Sequence, residues 1–144
     1  ARMARTFQDG LGSSYQSLMI VGSDIPGITP QIVTQGLSAL TEYDLVLGPT
    51  VDGGYYLIGL RKHVPELFRD IPWSTDQVYA RTEQKAASLG LTLTILPTLR
   101  DIDTVEDLQA ITRDMNRPGA GLVSHRTKNV LLELSKRLKT RGER

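Results

Sequence analysis

Ser17-Leu-Met-Ile-Val-Gly-Ser-Asp24-Ile-Pro26 is the stretch around which the rest of the chain is organised. Leu18 to Val21 form a short apolar run with β-branched Ile20 and Val21 at its end. A run this short, closed by Gly22 and Pro26, predicts a strand covered on both faces, as in a parallel sheet. It stops abruptly at Gly22 and delivers one carboxylate, Asp24. In open α/β sheets ligands bind beyond the carboxyl ends of the strands, and Asp24 stands at such an end. An Asp before a Pro can also do no more than turn the chain. Two further carboxylate-bearing turns at similar positions favour the ligand reading.

Upstream, Ala1 to Leu11 has helical spacing through Met3, Phe7 and Leu11, and it begins uncapped, in the middle of a pattern. Downstream, Thr29-Pro30 is a helix start, Thr as N-cap and Pro at the first helical position, for a helix carrying Ile32, Val33, Leu37 and Leu40 to near Thr41. Asp44 to Pro49 reads as a second strand, Thr50 to Gly54 as a turn, and Tyr55 to Leu60 as a third strand. Pro65 to Phe68 is a short helical turn. Ser74-x-x-Gln77 reads as a capping box opening a helix that runs to Leu89 and stops at Gly90. Leu91 to Leu96 alternates as a strand, and Thr104 to Met115 reads as a helix with Leu108 and Ile111 inward. Residues 117–125 form a linker. Residues 126–144 carry a basic amphipathic helix with Leu131, Leu134 and Leu138 on one side. Strand alternating with helix argues a three-layer α/β/α domain over residues 1–116 with a mostly parallel sheet.

Composition sets outer limits. The 144 residues amount to about one domain, 40% hydrophobic and 23% charged, as in ordinary globular proteins. With no cysteine, disulfides and thiolate metal sites are excluded. No apolar run is long enough to span a bilayer and the start is unlike a signal peptide, so a cytoplasmic location is the default expectation. The net charge of +1 hides an asymmetry: residues 126–144 carry a net of +5, which leaves −4 on the rest. A mildly acidic body argues against a nucleic-acid partner.

Asp24 follows the first strand, Asp52 precedes the third by a Gly-Gly step, and Asp101 and Asp103 follow the last. Carboxylates alone repel phosphates. Two of them converging from separate strand ends could seat Mg²⁺ or Mn²⁺, which prefers a few carboxylate oxygens plus water and substrate phosphates. Each element has a plainer reading. Asp52-Gly53-Gly54 suits a tight turn, or glycines that let backbone N–H groups approach a ligand. Asp103-Thr104 suits a helix cap, which does not prevent Asp103 from facing the cleft. Trp73, beside Ser74 and Thr75, suits the core or a phosphate-bearing ligand at a helix start. Tyr55 and Tyr56 alternate across a strand, one for the core and one for the cleft. His63 and His125 read as surface residues.

Gly22-Ser-Asp-Ile-Pro26, Gly48-Pro-Thr-Val-Asp-Gly-Gly-Tyr-Tyr-Leu-Ile-Gly-Leu60, Trp73-Ser-Thr75 and Asp101-Ile-Asp-Thr104 together resemble a bacterial family of glycosyltransferase-like proteins, long known as a domain of unknown function. It is related to 2-phospholactate guanylyltransferase and the molybdenum cofactor nucleotidyltransferases. The resemblance covers roughly residues 1–115. It implies a GT-A, nucleotide-diphospho-sugar transferase-like fold. Asp24 and Asp103 would match metal ligands, and Asp52-Gly53-Gly54-Tyr55 the acceptor or sugar side of the cleft. The family opens with a strand and a phosphate-binding loop bearing Lys and Arg. Against that pattern, the resemblance implies that this sequence begins within a later helix, without that segment.

The reading that follows is a metal-dependent, glycosyltransferase-like protein using a nucleotide-diphospho-sugar and a small-molecule acceptor. Asp24 and Asp52 are its candidate catalytic residues, with Gly53, Gly54, Tyr55, Trp73, Ser74 and Thr75 binding substrate. One alternative is a nucleotidyltransferase joining a nucleoside triphosphate to a phosphorylated small molecule. Another is an inactive assembly module that pairs through a free sheet edge or its tail, with a homo-oligomer as one form.

Overall fold

The computed structural model describes residues 2–115 and 123–142. Its elements are α1 (Arg2–Leu11), β1 (Leu18–Val21), α2 (Pro30–Ala39), β2 (Leu45–Pro49), β3 (Tyr55–Leu60), a 3₁₀ turn (Pro65–Phe68), α3 (Val78–Ser88), β4 (Leu93–Ile95), α4 (Val105–Asp114) and α5 (His125–Gly142).

The strands form one sheet in the order β1-β3-β2-β4. Every residue of β2 is buried, and so is every residue of β3 after Tyr55. Strands this apolar need cover on both faces, and they have it. On one face Leu45, Leu47, Ile58 and Leu60 pack against Phe7 of α1, Leu67, Phe68 and Ala86 of α3. The rings of Phe7 and Phe68 stack with centroids 5.6 Å apart. On the other face Val46, Tyr56 and Leu57 pack with Ile25, Leu96 and the α2 end at Leu40. The chain is therefore a three-layer α/β/α structure.

The expectation of a mostly parallel sheet holds for direction and fails for pairing. β1, β2 and β4 run the same way, but β3 runs against them and lies between β1 and β2. Only the β2–β4 pair is parallel. Length is the cause. Thr50 to Gly54 is too short for a crossover between parallel neighbours, so β2 and β3 must form a hairpin. Gly48 pairs with Leu57 and Pro49 with Tyr55, leaving Tyr56 as a bulged residue. Tyr56 and Leu57 consequently both reach the α2-side core. A Cβ on Gly48 would lie 2.4 Å from the Tyr56 ring, so glycine is what lets the ring cross there. The Tyr56 hydroxyl then donates to Pro97 O at 3.0 Å, tying the hairpin to the exit of β4.

Helix starts divide. Thr29 caps α2, accepting from Ile32 N at 3.3 Å, with Pro30 inside the first turn. Thr104 and Asp107 form a capping box on α4. The expected box at Ser74 does not form. Ser74 takes a left-handed φ of 63°, and α3 begins only at Val78 with no side-chain cap. Thr75 accounts for the difference: its hydroxyl donates to Pro72 O at 2.7 Å and accepts from Gln77 N at 3.3 Å, which satisfies a local turn instead.

Three smaller expectations also shift. β4 covers Leu93–Ile95 rather than Leu91 to Leu96. Leu37 on α2 is 48% exposed, while Gly36 is buried against Met19 and Leu96. On α5, Leu131 packs with Leu108, Ile111 and Met115, and Ser135 is buried, but Leu134 is 43% exposed. The buried face of α5 is set by its docking on α4 rather than by the leucine stripe. The side chain of Leu138 and most of the 117–125 linker fall outside the described residues. Among the described residues no helix is long and apolar enough to cross a membrane.

Candidate functional site

Because β1, β2 and β4 share a direction, their carboxyl ends gather along one edge of the sheet, together with the start of β3. The edge carries the expected carboxylates. The loop after β1 leaves with Gly22 N donating to Tyr56 O at 2.8 Å and is anchored by buried Ile25. Asp24, between these points, is exposed and has no hydrogen-bond or ion-pair partner among the described residues. The loop then crosses the edge, so that a Cβ on Gly27 would stand 3.2 Å from Leu99.

Asp52 is held differently. The Thr50 hydroxyl and the Gly54 N–H both donate to its Oδ1. The Thr50 hydrogen bond, more than the Gly54 amide, keeps the Asp52 carboxyl below its ordinary pKa despite partial burial. Beyond β2 the chain continues beside the β4 exit: Leu99 N donates to Pro49 O and Val51 N to Leu99 O, each at 3.0 Å, with Thr50 bridged to Leu99 in parallel. This register brings Asp52 level with Asp101. Burial, and then the charges of Asp52, Asp103 and Asp107, push the Asp101 carboxyl upward. Arg100 offsets part of that negative charge through Asp107 Oδ1 at 3.6 Å. Asp107 itself is occupied as the cap of α4, accepting from Thr104 N at 3.0 Å. Asp103 is exposed in the same turn.

The other expected site residues lie on the far side of Asp52. Gly53 has φ +91°, and a Cβ there would fall 2.0 Å from Asp76 O. Gly53 O also accepts from Tyr79 N at 2.9 Å. The Asp52 turn is thus clamped to the Trp73–Gln77 segment and the start of α3. The close approach that the glycine permits is to the protein's own backbone, and the Gly53 and Gly54 amides are spent inside the turn on Thr50 O and Asp52. Trp73 and Tyr55 are half-buried against the α1 and α3 side of the core. The Tyr55 hydroxyl is buried beside Thr82, and burial pushes its pKa up to about 12. Ser74 and Thr75 sit exposed on the rim. Of the two tyrosines, Tyr56 is the deeper, at 2% exposure. His63 is exposed, as expected of a surface residue.

The structure therefore gathers Asp52, Gly53, Gly54 and Tyr55 with Trp73, Ser74 and Thr75 on one side and with Asp101 and Asp103 on the other. Asp24 and Asp103 follow β1 and β4, the two outer strands. At about 4.8 Å per strand, these ends are separated by roughly 14 Å at the level of the sheet. Among the described residues no group of three His, Asp or Glu side chains could hold a metal ion. Sequence reasoning singled out neither Thr50, which fixes Asp52, nor Asp76, whose carbonyl clamps Gly53. A Thr-x-Asp spacing before Gly-Gly was the available signal for the first; nothing local marks the second.

Residues 1–75 match the model of a family described as "Uncharacterized protein conserved in bacteria (DUF2064)". The chain is also similar to a solved crystal structure of a candidate nucleotide-diphospho-sugar transferase from Desulfovibrio desulfuricans G20, with 34% sequence identity and a TM-score of 0.82. The similarity covers 95% of this chain and 59% of that one, so the present chain spans little more than half of the solved protein's length. No curated protein matches.

Proposed function

The chain belongs to the bacterial DUF2064 family, and from that premise we propose that it is part of a metal-dependent transferase acting on a nucleotide-diphospho-sugar. The observation that carries the reading is the coincidence of two things. The fold resembles the Desulfovibrio candidate transferase, and the carboxylates of three strand exits lie on the single edge where such sheets bind ligands.

In this reading Asp24 is the metal ligand, and Mg²⁺ or Mn²⁺ when bound neutralises the charge of the diphosphate. Asp103 stands at the exit of the opposite outer strand, roughly 14 Å away at the level of the sheet, and takes no part in this seat. Asp52 faces the acceptor. Its Thr50 and Gly54 hydrogen bonds keep it ionised and fix its direction, so it can hydrogen-bond and orient an attacking hydroxyl, whose proton passes to solvent as the new bond forms. The bond from the sugar's anomeric carbon to the diphosphate oxygen breaks, the acceptor oxygen bonds to that carbon, and a nucleoside diphosphate leaves. Tyr55 and Trp73 stiffen the wall behind Asp52, while Ser74 and Thr75 offer exposed hydroxyls on the rim. Gly53 and Gly54 set the turn that aims the carboxylate.

The test titrates Mn²⁺ with UDP, GDP, GTP and CTP while following Trp73, the sole tryptophan. Metal-dependent saturation in wild type, and its loss in Asp24→Asn, is the expected result. Saturation that is equal in Asp24→Asn, or independent of metal, overturns the assignment of Asp24. Preference for a triphosphate, with release of pyrophosphate, would replace glycosyl transfer by nucleotidyl transfer.

A further inference from the structure

Beside the carboxylate edge lies a cavity of about 500 Å³, between α2, the exit of β4 and α4. That volume falls within the usual range for small-molecule sites. Its walls are chiefly apolar: Ile32 on α2, Val51 and Leu99 at the edge, and Ile111 and Met115 on α4. Val51 is 55% exposed, so an occupant would cover apolar surface that the fold leaves in water. Its polar residues include Gln31, Gln35 and Thr98, and its charged ones are Arg100 and Asp114. The side chains of Gln31 and Gln35 make no hydrogen bond with any described residue, leaving two amides, each both donor and acceptor, facing the opening. The cavity adjoins the site directly, because Val51 precedes Asp52 and Arg100 precedes Asp101.

Charge narrows the occupant. Arg100 is the cation of the lining, and it is already turned to Asp107 at 3.6 Å. Asp101, Asp103 and Asp107 follow it within the same turn, with Asp52 alongside. Asp114 of α4 lines the cavity as well, so a phosphate or carboxylate entering here would meet that carboxylate, the acidic turn just beyond Arg100 and a guanidinium already turned to Asp107. We propose that the cavity binds the acceptor, a neutral molecule with an apolar, ring-sized body and hydroxyl or amide groups read by Gln31, Gln35 and Thr98. The word acceptor rests on the transferase reading above; binding of such a molecule does not.

The experiment uses 2-naphthol as the neutral probe and 2-naphthoate as its anionic counterpart. Both are titrated into the chain while backbone amide shifts are followed by NMR. The expected result is saturable shifts with 2-naphthol centred on Ile32, Leu99 and Met115. Affinity should fall about tenfold for 2-naphthoate, and about tenfold in Thr98→Trp. Thr98 is exposed, so the indole should fill the mouth without disturbing the core; Gln35→Trp, on the opposite wall, is the second blocking variant. No saturable shift in the folded wild type overturns the proposal. So do shifts mapping elsewhere, equal affinity for naphthoate, or unchanged affinity in both blocked variants. Nucleotide binding measured through Trp73 is independent of these results, so failure of the cavity and failure of the transferase reading are distinguishable.

Discussion

At Gly53 a single hydrogen atom decides whether the Asp52 turn can exist. The φ of +91° disfavours any side chain, and a Cβ would lie 2.0 Å from Asp76 O. Gly53→Ala is expected to cost about 2 kcal/mol or more in chemical denaturation, because the turn or the Asp76 backbone must move. It should also shift Trp73 emission, since the segment carrying Asp76 carries Trp73. Unchanged stability and emission would contradict the clamp. Asp44 tests a different physics. It is 7% exposed and accepts from Arg61 Nη2 at 2.9 Å and from Thr92 N at 3.1 Å. The Thr92 amide, then Arg61, holds its carboxyl far below the usual carboxylate range. Arg61 and Lys62 are 42% and 58% exposed, so their ion pairs are screened. The expected loss in Asp44→Asn is therefore about 1–2 kcal/mol, from the hydrogen bonds to the charged carboxylate. The folded pKa is depressed, so this contribution is full above the unfolded value of about 3.9 and is lost as pH falls below it. The gap between wild type and Asp44→Asn in urea midpoint should be full at pH 7 and narrow steadily below pH about 4. A gap independent of pH would overturn the assignment.

Elements are held at their ends more than by propensity. α4 starts at Thr104, where side chain and backbone exchange hydrogen bonds with Asp107. Thr104→Ala should cost about 1 kcal/mol, the usual worth of an N-cap. Thr104→Asn should restore most of it, and failure of that rescue would argue against a capping role. The β2–β3 hairpin is joined to β4 by the Tyr56 hydroxyl and Pro97 O. Burial pushes the Tyr56 pKa up to about 12, so this donor keeps its proton through the working pH range. Tyr56→Phe leaves the Pro97 carbonyl without that donor and should cost about 1 kcal/mol. Its effect should appear as faster amide exchange at Leu96 and Leu99, whose N–H groups bond to β2 beside it. Exchange unchanged there would mean that the main-chain bridge alone holds β4.

At the scale of the molecule, burial is uneven. β2 and β3 lie between two cores, whereas α4 and α5 share a separate small core of Leu108, Ile111, Met115 and Leu131. Hydrogen exchange should therefore be slowest in β2 and β3 and clearly faster in α4 and α5; equal protection would show that the small core unfolds only with the rest. The same division explains what could be read from the chain alone. Strand cores at Leu18–Val21 and Tyr55–Leu60, the Thr29 and Thr104 caps and the carboxylates at the strand exits are local patterns, set by residue type and spacing within a few positions. They determined the α/β class and the candidate edge. Tertiary structure decided the rest, because it depends on which segments meet. The antiparallel placing of β3 between β1 and β2 followed from a short turn and a shared sheet. The Ser74 box gave way to a Thr75 turn under the Gly53–Asp76 contact. Asp101 came level with Asp52 through the pairing of Thr50 with Leu99. The cavity exists only where α2, β4 and α4 leave space between them. Local sequence fixes what each residue can do; packing alone fixes which of them stand together.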